Sequence, residues 1–134
     1  MDMNKVYELC MNSLENEFKS GTNDCNINVI KLVDLIAGSE LANQFTYKTV
    51  KGGIRQLKAL GFNNTFEMIS PYLEEVTVTI DGDIWMHPTV EHSFAIVISG
   101  YLLAVNEEHT EFKLVPKRND GTYYRIREKE WVVE

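Results

Sequence analysis

The sequence predicts an α+β protein, with N-terminal helices packed on a C-terminal antiparallel β-meander. Two observations predict it. Through the first 72 positions apolar residues recur at three- and four-residue steps, the period of a helix face. From Glu75 onward the period changes to two, with Val76, Val78 and Ile80 alternating with Thr77 and Thr79. Helices first and strands last favour segregated layers over an alternating parallel sheet. A chain of 134 residues, 44% hydrophobic and 25% charged, suffices for one buried core. The expected organisation is a single domain over 1–134, mainly helical over 1–72 and mainly antiparallel strands over 75–134.

In chain order, Met3, Val6, Tyr7, Cys10, Leu14 and Phe18 form one apolar stripe on a first helix that Gly21 ends. Residues 22–28 read as a polar connection holding capping candidates. Ile27, Ile30, Val33 and 35–37 then describe a more buried helix stopped by Gly38. Ser39 is a candidate cap for a short turn through Leu41 and Phe45, and Thr46 is the expected cap of a helix whose face is Val50, Ile54, Leu57 and Leu60. The pair Gly52-Gly53 costs that helix about 1 kcal/mol per glycine against alanine, which predicts a close approach or a kink. A short helix is expected over 65–72. Asp81-Gly82 predicts a tight hairpin joining 76–80 to 83–87. The apolar run 94–105 is either one long strand bent at Ser99-Gly100 or a buried helix. Residues 112–115 and 123–127 are expected to form a hairpin that 131–133 extend, with Pro116 marking a strand end or an edge.

No apolar run reaches the roughly 18 residues of a membrane span, and the N-terminus lacks the pattern of a signal peptide. Cys10 and Cys25 lack CxxC spacing and read as reduced thiols, so a cytoplasmic location is expected. The net charge of −7 is segmented. Residues 46–62 carry Lys48, Lys51, Arg55 and Lys58 with no acid, whereas 63–112 contain no Lys or Arg and nine acids.

No motif for chemistry emerges. His87 and His92, with Glu91 and Asp83 nearby, match no familiar metal-ligand spacing, so no metal is expected. Asp81-Gly82-Asp83 lacks the remaining ligands of a calcium loop. There is no G-x-S-x-G, neither cysteine's flanks indicate a lowered thiol pKa, and Lys51-Gly52-Gly53 lacks the phosphate-loop spacing. The expectation is a protein that is not an enzyme and needs no cofactor.

Residues 39–62, SELANQFTYKTVKGGIRQLKALGF, resemble a winged helix-turn-helix: Glu40-Leu41-Ala42 would end the first helix, and Thr49, Val50, Ile54, Leu57 and Leu60 would mark the second. The resemblance implies a DNA-binding regulator in which Tyr47, Lys48, Lys51, Arg55 and Lys58 meet the duplex. In general character the chain is also similar to bacterial immunity and antitoxin proteins. That similarity implies a non-catalytic inhibitor that neutralises a basic protein partner such as a toxin, without a membrane. The acidic stretch would supply the surface through Asp81, Asp83, Trp85, Glu91, Glu107 and Glu108, with Trp85 and Tyr101 as exposed aromatics. Neutralisation is the leading expectation and DNA binding the alternative.

Overall fold

A computed structural model describes residues 2–128. Helices precede strands, as the periodicity predicts; the described residues hold four α-helices and six strands. Helix α1, Met3–Glu15, starts at Asp2, whose carboxylate accepts from the Asn4 N–H. Helix α2, Cys25–Ala37, is capped by Asp24 and closed by Gly38 at φ 77°. After a 3-10 turn at Ala42–Gln44 comes α3, Val50–Ala59, capped by the Thr49 hydroxyl, which accepts from the Gly52 N–H. The capping threonine is thus Thr49 and not Thr46, which instead bonds Gln56. Helix α4, Thr65–Ile69, is capped by Asn64 and runs into a second 3-10 turn at Ser70–Tyr72.

The strands are β1 (Leu73–Val76), β2 (Ile84–Met86), β3 (Phe94–Ile98), β4 (Tyr101–Val105), β5 (Phe112–Pro116) and β6 (Thr122–Ile126). They form one antiparallel sheet in the order β1-β6-β2-β3-β4-β5. Two expected hairpins are therefore corrected. β1 does not pair with β2; β6 lies between them, because residues 77–82 turn back as a loop instead of continuing the strand. β5 does not pair with β6 either. β5 is the far edge strand, which places Pro116 where a missing ladder N–H costs nothing.

The run 94–105 is neither a bent strand nor a helix. It is a hairpin of β3 and β4, turned at Ser99 (φ 52°) and Gly100 (φ 81°), two successive left-handed residues as a tight hairpin requires. Its apolar composition is unbroken because β3 is buried on both faces. Phe94, Ile96 and Ile98 join the main core with the helices, whereas Ala95 and Val97 pack with Trp85 and Leu102 in a second cluster on the opposite face. Residues 131–133 lie outside the described residues. No helix among the described residues is long and apolar enough to cross a membrane.

Helix α2 is the hub of the helical layer. It packs on α1, α4, β3 and β6, and six of its thirteen residues are core aliphatics: Ile27, Val29, Ile30, Leu32, Val33 and Ile36. That burial fixes the position of its N-terminus, where Cys25 is the first helical residue.

Candidate functional site

A cleft of about 770 Å³ opens at the N-terminus of α2. One wall is the 42–57 region, with Phe45, Tyr47, Val50, Ile54 and Leu57. The floor holds Asp24, Cys25 and Asn26, and the opposite wall comes from the β2–β3 loop with His87, Glu91 and His92. Glu107, Glu108 and His109, from the β4–β5 turn, complete the rim.

The floor is held by Asp24. Its carboxylate accepts from the N–H of Ile27 and of Gly21 and from the Tyr47 hydroxyl, each at 2.7 Å. These bonds tie the helix start to the chain before it and to the loop before α3. The join is close enough that Gly21 (φ 89°) has no room for a side chain, since a Cβ there would sit 1.8 Å from the Tyr47 carbonyl oxygen. Gly53 serves the same join from the other side, where a Cβ would lie 3.2 Å from the Tyr47 ring. The close approach predicted from Gly52-Gly53 is this packing of Tyr47 on Gly53.

Cys25 is partly buried, and its thiol donates to the His92 carbonyl at 3.3 Å. The neighbouring Asn26 donates to the same carbonyl at 2.8 Å. Burial pushes the Cys25 thiol up to about 11, with Asp24 adding to the rise, against a downward pull from the backbone N–H groups of Phe94, Cys25 and Asn26. The resting group is therefore a thiol. His92 is a non-glycine residue at φ 64°, its side chain one-quarter exposed, with Nε2 3.7 Å from a Glu91 carboxylate oxygen. His87 is committed differently: its Nδ1 accepts from the N–H of Thr89 and Val90, and its ring meets the Trp85 edge. Among the described residues, no three His, Cys, Asp or Glu side chains converge as a metal site.

The residues expected to bind a basic partner separate into two groups. Glu91, Glu107 and Glu108, distant in sequence, all line the cleft, together with Lys113 and Arg118. Trp85 lines the same cleft, whereas Asp81 and Asp83 do not. Asp83 is 1% exposed and receives two hydrogen bonds from the Arg125 guanidinium, at 3.1 and 3.0 Å, and one from the Ile80 N–H. Asp81 accepts from the Tyr7 hydroxyl and the Ser99 N–H. Trp85 is not an exposed aromatic. It is 4% exposed, donates to the Asp120 carbonyl and is covered by Arg118, whose guanidinium lies 4.8 Å from the ring centre. Alternation at the 81–85 turn conceals this, because both sheet faces are packed here. Tyr101 is exposed as expected.

The residues expected to meet DNA also divide. Lys48, before α3, and Lys51, Arg55 and Lys58, on it, are exposed, and none is ion-paired among the described residues. Tyr47 turns inward to Asp24 and does not join them.

The second free thiol, Cys10, is 2% exposed in the α1–α2 contact, and burial also pushes it up to about 11. A thiol raised in the folded state favours folding fully below its ordinary value of 9.0, and that contribution is lost as pH climbs towards 11. At about 1.4 kcal/mol per pKa unit, Cys10 accounts for roughly 2–3 kcal/mol of alkaline destabilisation. Urea midpoints at pH 8 and 10.5 should therefore fall less for Cys10→Val than for the parent chain.

Comparison with known proteins matches residues 4–126 to the family described as a domain of unknown function, DUF6950. The chain belongs to the DUF6950 family. The match spans every helix and strand except the first residue of α1, so the cleft is part of the family domain. No curated protein and no solved structure matches the chain.

Proposed function

We propose that the cleft is a thiol-dependent acyl-transfer site that hydrolyses an amide or ester, with Cys25 as nucleophile and His92 as general base. The observation that carries this reading is the placement of a cysteine at the first position of a core helix, inside a cleft whose facing wall bears His92. A helix N-terminus favours a thiolate and a developing oxyanion. Burial opposes the resting thiolate, so the proton must leave during the attack, which calls for a base at the site.

The steps balance. Sγ forms a bond to the carbonyl carbon as its proton passes to the His92 imidazole. Collapse of the tetrahedral species breaks the bond to the leaving amine or alcohol, which takes that proton. A water, deprotonated by His92, then attacks the thioester and releases the acid and the free thiol. In the resting arrangement the thiol donates to the His92 carbonyl, and catalysis requires the ring to take over as acceptor, a tightening commonly completed only with substrate bound. Such a thiol fits a reducing, cytoplasmic setting.

p-Nitrophenyl acetate tests the reading. The parent chain should release a burst of nitrophenolate followed by steady turnover, with acetyl on the Cys25 peptide by mass spectrometry. Cys25→Ser should lose both, and an equal signal from Cys25→Ser would contradict it.

A second reading is supported by Glu91, Glu107 and Glu108 lining one cleft, where they outnumber Lys113 and Arg118: a surface that captures and neutralises a basic protein. Charge reversal at Glu107 and Glu108 should weaken retention of such a partner at low salt, and unchanged retention would remove this reading.

A further inference from the structure

The carbonyl of His92 receives two hydrogen bonds from consecutive residues of one helix start, the thiol of Cys25 at 3.3 Å and the side-chain amide of Asn26 at 2.8 Å. The Asn26 amide is itself held. Its Oδ1 accepts from the Thr65 hydroxyl at 2.7 Å, and Thr65, the first residue of α4, is 1% exposed. A buried hydroxyl with one well-oriented partner has few alternatives, because losing that partner costs about 1–3 kcal/mol. The chain Thr65–Asn26–His92 therefore runs from a fixed point in the helical layer, across the helix start, to the β2–β3 loop.

The residue at the end of that chain has an unusual backbone. His92 is at φ 64°, a left-handed conformation that a non-glycine residue adopts at a cost and keeps when its surroundings dictate it. On its C-terminal side Ser93 accepts from the His87 N–H and enters β3. On the other side Val90 is half exposed and Glu91 exposed, so the loop has little packing of its own there. The bond from Asn26 is the polar contact that fixes the His92 peptide when the thiol stops donating to it. That moment is the proton transfer itself.

We infer that Asn26, oriented by Thr65, is a positioning residue that holds the His92 backbone in its left-handed conformation and keeps the imidazole in the cleft while Cys25 gives up its proton. The inference rests on the proposed Cys25–His92 chemistry. It assigns Asn26 no contact with substrate, and it explains why an asparagine, with a donor and an acceptor on one short arm, stands between the nucleophile and the rest of the helix.

The test reads alkylation of Cys25 by iodoacetamide against pH, with mass spectrometry separating Cys25 from Cys10. The parent chain should show a near-neutral limb that His92→Gln removes. With the rate above pH 10 as internal reference, where free thiolate needs no base and the lost Asn26 Nδ2 bond to the Cys25 sulfur at 3.5 Å acts alone, Asn26→Ala should lower the relative height of that limb about tenfold or more. Thr65→Val, which keeps shape and removes the donor, should lower it by a smaller factor, and it carries the test if Asn26→Ala fails to fold. A limb of full height in both variants, with circular dichroism like the parent's, would overturn the clamp and leave the Cys25–His92 pair standing. A parent chain with no His92-dependent limb would overturn both.

Discussion

Arg125→Ala is expected to destabilise the fold by about 3–5 kcal/mol, which makes it the most damaging single change away from the cleft. Asp83 is 1% exposed, and Arg125 approaches it through Nε and Nη2 at 3.1 and 3.0 Å. The same guanidinium donates to the Val78 carbonyl at 2.9 Å, so one side chain satisfies both the buried carboxylate and the loop that covers it. Removing it leaves a charge in a dry place with only the Ile80 N–H as partner. Breaking one side of such a pair costs far more than the pair contributes, because the remaining ion cannot regain water. Arg125→Lys keeps the charge without the planar fork and should recover part of the loss. Urea unfolding of the parent chain and both variants at pH 7 checks both statements.

His92→Gln is expected to reduce turnover of p-nitrophenyl acetate by about 10²–10⁴, the usual contribution of a positioned general base. Glutamine retains bulk and hydrogen bonding but cannot accept a proton at neutral pH. The loss should fall on the rate constant at saturation more than on KM, because the imidazole acts in the transition state and contributes little to holding the ester. The backbone carbonyl that receives the thiol and Asn26 is still present in the variant, so the fold should be retained. Circular dichroism separates loss of base from loss of structure.

The fold was legible in the sequence where periodicity speaks and illegible where pairing decides. Val6, Cys10, Ile30, Val33 and Leu57 are buried in helices as their spacing predicts. Strand order was not readable, because insertion of β6 between β1 and β2 is a long-range event with no local signature. Asp81-Gly82 looked like a hairpin turn, yet Asp83 turns inward to Arg125, 42 positions away. The run 94–105 concealed a hairpin because β3 is buried on both faces and shows no alternation.

The candidate site was less legible than the fold. Residues 22–28 read as a polar connection, and the helix begins inside it, at Cys25. The local signal was Asp24-Cys25, a capping aspartate followed by a thiol at the first helical position, where the helix N-terminus acts on sulfur. Its partner His92 is 67 positions away and only the tertiary fold joins them. The charge pattern missed the floor of the cleft: α3 lines the cleft with Val50, Gly53, Ile54 and Leu57 and not with its basic residues, and only Glu91, Glu107 and Glu108 of the acidic stretch's expected acids line it.

The central claim, that Cys25 is activated by His92, is tested most directly by the pH dependence of Cys25 alkylation by iodoacetamide in the parent chain and in His92→Gln. The account predicts a limb of alkylation well below the value of about 11 to which burial moves the thiol, and its loss in the variant. Identical profiles, rising together only above pH 9, would contradict it.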